Sequence, residues 1–374
     1  MNANAEESAE SDVGAVGAEA EEPEQEPAAP VTPRDQRKRL LAALQKARGS
    51  DVVLSYITST RPALEASMAQ DAIRPFFDHL PSEPVKQLDL VIHSNGGDGV
   101  VPWRLMTLLH EYAEKVDVLV PHRAFSAATL AALGAHEIVM HPMGMLGPID
   151  ASIVNPLGPV DNMSGQRVPV SGEDVAAYYA LVREDLGIRH EEELVQAFRV
   201  LAENVHPLVL GSVKRGSAQS RMLGEKLIAL RSTVDAQHLE LLEQLTTKLY
   251  YHGHPINRIE AKQIGLPVAD PDPSVEEALW NLYLAYERDM EMTALFDPVS
   301  IALSAGVVPP PSPGPQQLQW APLPNLTTVP MVIVESESQA DVFEQDLQVS
   351  LARGPMGMYY GNTVALRAEW TTIR

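Results

Sequence analysis

The chain has no cysteine in 374 residues. That absence removes disulfides, thiolate zinc sites, iron–sulfur clusters and cysteine nucleophiles together, so a covalent catalyst here must use oxygen or nitrogen. Positive charge is also scarce: 28 Lys plus Arg stand against 50 Asp plus Glu, a formal net charge of −22. A field of that sign repels phosphate backbones and anionic headgroups, which speaks against nucleic-acid or membrane-surface partners. No run reaches the ~18 uninterrupted apolar residues of a membrane span, and no basic stretch leads into an apolar one at the start. The expectation is no span, no secretory signal and a cytoplasmic protein. A Walker A loop and a dinucleotide fingerprint are lacking too, and His136, Glu137 and His141 miss the spacing that sets two histidines four apart on a helix. His252 and His254 have no apparent third ligand. No cofactor and no metal are therefore expected.

What is present is a composition close to the globular average, 45% hydrophobic and 21% charged. The length suits two domains, or one large domain with appendages. Residues 1–30 carry nine acids and no base among Ala, Pro, Gly and Ser. Such a segment has too little apolar surface to offset the entropy of ordering, and it reads as a disordered acidic tail, taken as 1–33. A basic patch follows, Arg34 to Lys38, Arg39, Lys46 and Arg48, with Leu40, Leu41 and Leu44 at helical spacing; the plain reading is a solvated helix face.

From Asp51 to Asp150 short β-rich runs alternate with amphipathic stretches. Val52–Ile57 reads as a strand, Ala63–Leu80 as a helix, Leu88–His93 as a strand, then a Ser94-Asn95-Gly96-Gly97 turn and a helix through Trp103 to Leu109. Val116–Val120, a helix from Ser126 to Ala135 and the strand Glu137–Met140 complete the series. This alternation predicts βαβ units, a largely parallel sheet, and a site where strand ends lead into helix starts. Beyond Ser171 the period is helical over Gly172–Leu186, Glu191–Glu203, Pro207–Ser232 and Ala236–Tyr251, with Gly211 and Gly216 marking a break in the third. A helix spans Ser274–Phe296. Five prolines between Pro309 and Pro315 read as a linker. The last segment reads as strand Val332–Val334, helix Gln339–Leu351, and strands from Met358 to Thr371.

Two loops have the residue types for chemistry. In Ile92-His93-Ser94-Asn95-Gly96-Gly97, paired glycines let backbone N–H groups face a substrate, which builds an oxyanion hole without side chains; the same pair also suits a plain turn. In Pro121-His122-Arg123-Ala124-Phe125-Ser126-Ala127-Ala128-Thr129, Ser126 stands where a helix begins, a place for a nucleophile or for an ordinary N-cap. The loops end two successive strands, so neighbouring parallel strands would bring Ser126 beside the Gly96-Gly97 amides. A nucleophile next to an anion site suits acyl transfer.

These stretches, with Ala124 to Pro142, Leu146-Gly147-Pro148-Ile149-Asp150, His206-Pro207-Leu208, Arg215, Tyr251-His252-Gly253-His254-Pro255-Ile256, Glu260-Ala261 and Ile264-Gly265-Leu266, resemble the serine dehydrogenase proteinase family. That family lies within the Clp-protease and signal-peptide-peptidase-A superfamily, and the likeness runs over about residues 50–270. It implies an α/β fold with a ClpP/crotonase-like repeated ββα/βαβ spiral core, a helical C-terminal part and a small α+β appendage. The segments are then the tail, a protease domain at 34–270, a helical extension at 271–308, a Pro-rich linker at 309–328 and the appendage at 329–374. The resemblance implies a serine peptidase in which Ser126 is the nucleophile and the amides of Gly96 or Gly97 and of Ala127 hold the oxyanion. Ala127 and Ala128 replace the family's usual glycines, and Asn95 replaces its proline, each retaining a backbone role. For the general base the family's histidine before Pro-Ile corresponds to His252, with Asp150 to orient it; Lys214, His141 and His254 are reserves. The implied partners are a polypeptide substrate, further copies in a homo-oligomer and a separate unfoldase. A crotonase-like acyl-CoA enzyme and an inactive assembly module are the alternatives.

Overall fold

The computed structural model describes residues 31–150, 152–161, 165–248, 253–312, 314 and 317–373; the acidic tail and His252 lie outside them. Helix α1 (Pro33–Arg48) leads into β1 (Val52–Thr58), α2 (Ile73–His79), β2 (Val85–His93), α3 (Val101–Tyr112) and β3 (Ala113–Val120). A short β4 (Arg123–Ala124) precedes α4 (Ala127–Leu133), β5 (Glu137–Met140) and β6 (Met145–Leu146). The helical stretch holds α5 (Gly172–Ala180), α6 (Glu191–Asn204), α7 (Pro207–Ala229) and α8 (Ala236–Glu243). Then come β7 (Ile256–Asn257), α9 (Arg258–Gln263), β8 (Val268–Ala269), α10 (Pro273–Asp289) and α11 (Pro298–Ser304). The chain ends in β9 (Trp320–Pro322), β10 (Thr327–Glu335), β11 (Ala340–Arg353) and β12 (Tyr359–Ile373).

Strands β8, β5, β3, β2 and β1 lie side by side and parallel, and β10, β11 and then β9 and β12 continue the same sheet antiparallel. The parallel strands are buried on both faces, which explains why Val, Ile and Leu dominate them. Leu54, Tyr56, Leu90, Ile92, Val118 and Val120 pack into one core with Phe76 of α2, Leu105 and Leu109 of α3, the small residues of α4 and Leu227 of α7. Val53, Ile57, Val91, Leu119 and Val139 face the other way, against Leu41 and Leu44 of α1 and Leu279, Leu282, Tyr283 and Tyr286 of α10. The result is a mixed α/β protein with helices on both faces of one sheet. Among the described residues, no helix is long and apolar enough to cross a membrane.

Four local expectations are corrected. Residues 63–69 are not helical: Thr60–Arg61 and Leu64–Glu65 pair as a tight hairpin around Pro62 and Ala63, the latter at φ 69°, and Met68 bridges Gly97. Helix α7 runs unbroken past Gly211 and Gly216 because Pro207 opens it under the His206 cap and its second half is anchored by Leu223, Leu227 and Ile228. Residues 340–351 form strand, not helix, so the final segment is not a small α+β appendage. Leu347, Val349 and Leu351 alternate with polar residues, and Ser55–Thr58 of β1 pair with Val332–Glu335 of β10, so this segment enlarges the central sheet.

The basic patch is the fourth. Arg34 and Arg37 are buried, and both pair with Glu335, at 2.8 Å each. Arg37 also reaches Asp289 at 2.6 Å, while Arg48 joins Asp89 at 2.9 Å and Asp117 at 2.8 Å. Half of the patch thus fastens α1 to the sheet and to α10; Lys38, Arg39 and Lys46 are exposed.

Candidate active site

The carboxyl ends of β1, β2 and β3 lie at one edge of the sheet, with Ile57 paired to His93 and Val91 to Leu119. Beyond that edge the two loops are stitched together by backbone. The Ser94 N–H donates to the Arg123 carbonyl at 2.9 Å, and the Phe125 N–H donates to the Ser94 carbonyl at 3.0 Å. Ser94 Oγ accepts from Thr58 Oγ1 at 2.9 Å and from the Gly96 N–H at 3.0 Å. The glycine turn is therefore folded tightly around one buried serine.

Both glycines have a conformational reason. Gly96 (φ 103°) and Gly97 (φ 153°) lie in the left-handed half of backbone space. A Cβ on Gly96 would come within 2.7 Å of the Ser126 Cβ, 2.8 Å of the Phe125 carbonyl oxygen and 3.2 Å of the Ala127 nitrogen. A Cβ on Gly97 would strike the Met68 backbone. Met68 donates to the Gly96 carbonyl at 2.8 Å and accepts from the Asp98 N–H at 2.9 Å. In that parallel bridge the N–H of the intervening Gly97 points away from Met68. Gly96 has committed its N–H to Ser94, which leaves Gly97 as the glycine whose amide is turned outward.

Ser126 sits at φ 52°, ψ −112°, a strained setting for a residue with a side chain, and it makes no capping hydrogen bond. A serine serving only as an N-cap would be extended and would accept from the helix amides. A strained backbone at a sharp strand-to-helix turn is also the setting of a nucleophile elbow. Strain of this kind costs ~1–3 kcal/mol and persists where the surroundings enforce it. Ala127 opens α4 behind it with its N–H in the unsatisfied first turn, while Ala128 donates to the Phe125 carbonyl at 2.9 Å. Thus the fold brings together Gly96, Gly97, Ser126 and Ala127.

Two histidines that sequence reasoning left unassigned fix this arrangement. His93 is fully buried at the end of β2; its Nδ1 accepts the Arg123 N–H at 3.3 Å, so its Nε2–H faces Thr60 Oγ1 at 3.2 Å. Its ring stacks on His122 at 5.6 Å, and His122 Nδ1 lies 2.8 Å from the Tyr283 hydroxyl, which donates to Glu287 at 2.9 Å. Burial, with His122 and Arg123 nearby, pushes His93 down to about 3, and burial also lowers His122. Both stay neutral at pH 7 and tie the loops to α10. Their place beside the glycine and serine turns was the available sequence signal.

The other expected residues are placed as follows. Asp150 is buried, one residue after Ile149, whose N–H donates to the Leu245 carbonyl at 2.9 Å; the same segment reaches α4 through a Gly147 N–H to Thr129 Oγ1 bond at 3.0 Å. His252 lies outside the described residues. The chain just after it returns to the site edge: β7 pairs with β6, and β6 with β4, two residues before Ser126. His254 is paired with Glu260 at 2.9 Å. His141 stacks on Trp280 at 4.5 Å and accepts from the Met143 N–H. Lys214 is exposed on α7, lining a pocket with Gly172, Leu210 and Thr246. Among the described residues, no cluster of three or more His, Asp or Glu could hold a metal ion.

The stretch that holds this site is similar to a known family. Residues 74–164 match the ClpP-like SDH-type serine proteinases. The matched stretch contains both glycines, Ser126, Ala127 and Asp150, and ends before His252. Two uncharacterized proteins of Methanocaldococcus jannaschii are similar to this chain, at 28% identity over 203 residues and 25% over 198 residues. The matches cover 54% and 52% of this chain and 59% and 56% of those proteins, so the chain spans little more than half the length of the curated relatives it matches. A solved structure of a membrane-bound stomatin-specific protease is 15% identical, with a TM-score of 0.28, over 55% of this chain and 76% of that one.

Proposed function

We propose that the protein is a serine peptidase that works through an acyl-enzyme on Ser126. The observation that carries this reading is Gly96 backed directly against a strained Ser126. Ser126 Oγ attacks the scissile carbonyl carbon, and the oxygen that becomes negative is held by the N–H groups of Gly97 and Ala127, donors fixed before the reaction begins. His252 takes the Ser126 proton and returns it to the leaving amine, with Asp150 orienting the ring; water then attacks the acyl carbon and releases the second product. The return of the chain after His252 to the β4 edge supports that assignment. The core is then a ClpP/crotonase-like spiral, a reading supported by α2, α3 and α4 packing on one face of successive parallel strands. The family match speaks for peptide hydrolysis over acyl-CoA chemistry, and it supports a polypeptide as the substrate.

Labelling with a fluorophosphonate tests the reading. The folded wild type should label at one serine and Ser126→Ala should not. Undiminished labelling of the variant, or none of the folded wild type, overturns it; the latter result would point to an assembly module.

A further inference from the structure

Strand β12 forms the outer edge of the sheet. Among the described residues it pairs with β11 alone, from Tyr359 opposite Arg353 to Ile373 opposite Ala340. Its other side presents main-chain donors and acceptors along 15 residues. Such an edge is a template for another strand, and proteins usually blunt one with lysine, proline or a short strand. β12 has no lysine and no proline, and Tyr359, Tyr360, Val364 and Leu366 are exposed along it. Its one irregularity is a bulge at Leu366, after which pairing resumes with Arg367 opposite Asp346.

The charges beyond that bulge say what covers the edge. The strand carries one base, Arg367, and one acid, Glu369, on either side of the exposed Ala368. They already lie on one face, where they pair with each other. An antiparallel partner with the same sequence and Ala368 on a two-fold axis sets Arg367 of each copy opposite Glu369 of the other. The contact is thus made twice, as symmetric interfaces require. A strand of unrelated sequence has this match only by chance, whereas a second copy has it by symmetry. We propose that two copies of the chain join through antiparallel β12–β12 pairing centred on Ala368, making one continuous sheet across the dimer.

The absence of cysteine makes the test clean. Ala368→Cys gives each chain a single thiol, and residues facing each other across an antiparallel pair have Cα atoms ~4.5–5.5 Å apart, inside the ~4.4–6.8 Å range of disulfides. Mild oxidation should convert most of Ala368→Cys to a covalent dimer. Val364→Cys, whose opposite number is Thr372, should stay largely uncrosslinked. By sedimentation velocity the wild type should have at least twice the mass of one chain, and the double variant Val364→Lys, Leu366→Lys should have half the wild-type mass with an unchanged circular dichroism spectrum. Arg367→Glu should weaken association at least ~10-fold, and adding Glu369→Arg should restore it. A monomeric wild type, an assembly indifferent to the lysines, or equal crosslinking at 364 and 368 overturns the proposal. None of these readouts depends on peptidase activity.

Discussion

A Cβ on Gly96 would lie 2.7 Å from the Cβ of Ser126. Real Cβ atoms do not approach so closely, so the glycine is a condition for the serine turn to exist where it does. Gly96→Ala must displace Ser126 or the Phe125 carbonyl, and it also places a side chain at φ 103°. We expect fluorophosphonate labelling to fall at least ~100-fold, as small misplacements at reacting groups do, with a stability loss of ~1–3 kcal/mol read from urea unfolding. Labelling at the wild-type rate would show that the contact has no bearing on reactivity.

Ser126 itself stores strain. At φ 52° a glycine is at ease and a serine is not. Ser126→Gly should therefore abolish labelling while raising stability by ~1 kcal/mol. A melting temperature below that of the wild type would argue against strain at this turn.

Arg37 anchors α1 through Glu335 and Asp289, and the Tyr286 hydroxyl donates to the same Glu335 at 2.6 Å. Without Arg37, Glu335 keeps Arg34 and Asp289 keeps Arg288, so the cost is that of the lost charged hydrogen bonds, ~1.5–3 kcal/mol. Arg37→Met should show that loss in urea unfolding. Lys38→Met, on the exposed side of the same helix, should change stability by less than ~0.5 kcal/mol.

His93 gives the protein an acid weakness. Its folded value of about 3 lies below the ordinary value of 6.5, so the unfolded chain takes up the proton first. Its contribution to stability is complete above pH 6.5 and is lost as pH falls toward 3. Between pH 7 and pH 5 that loss comes to about 2 kcal/mol from this one ring, at 1.36 kcal/mol per pH unit. His93→Gln should be less stable at pH 7 but lose about 2 kcal/mol less than the wild type over the same interval. Parallel stability profiles for the two proteins would contradict it.

Apart from residues 63–69, the sequence alone determined the alternation of strands and helices from Val52 to Met140, because strands buried on both faces are mostly apolar and the helices between them must carry one apolar stripe. It also marked Gly96, Gly97 and Ser126, since turns of this kind leave few residue types to choose from. It could not say that 340–353 is strand: Val342, Leu347, Val349 and Leu351 are apolar positions compatible with either period over so short a run, and the deciding partner, β10, is held in place by β1 nearly 300 residues earlier in the chain. Nor could it tell the buried arginines of α1 from the exposed ones, because Glu335 and Asp289 come close only after folding. The same holds at the site. Which glycine amide faces outward follows from the Met68 bridge, and the fixed relation of the two loops follows from His93 meeting the Arg123 amide. Local residue chemistry chose the actors, and long-range pairing, which no nearby pattern encodes, set their directions.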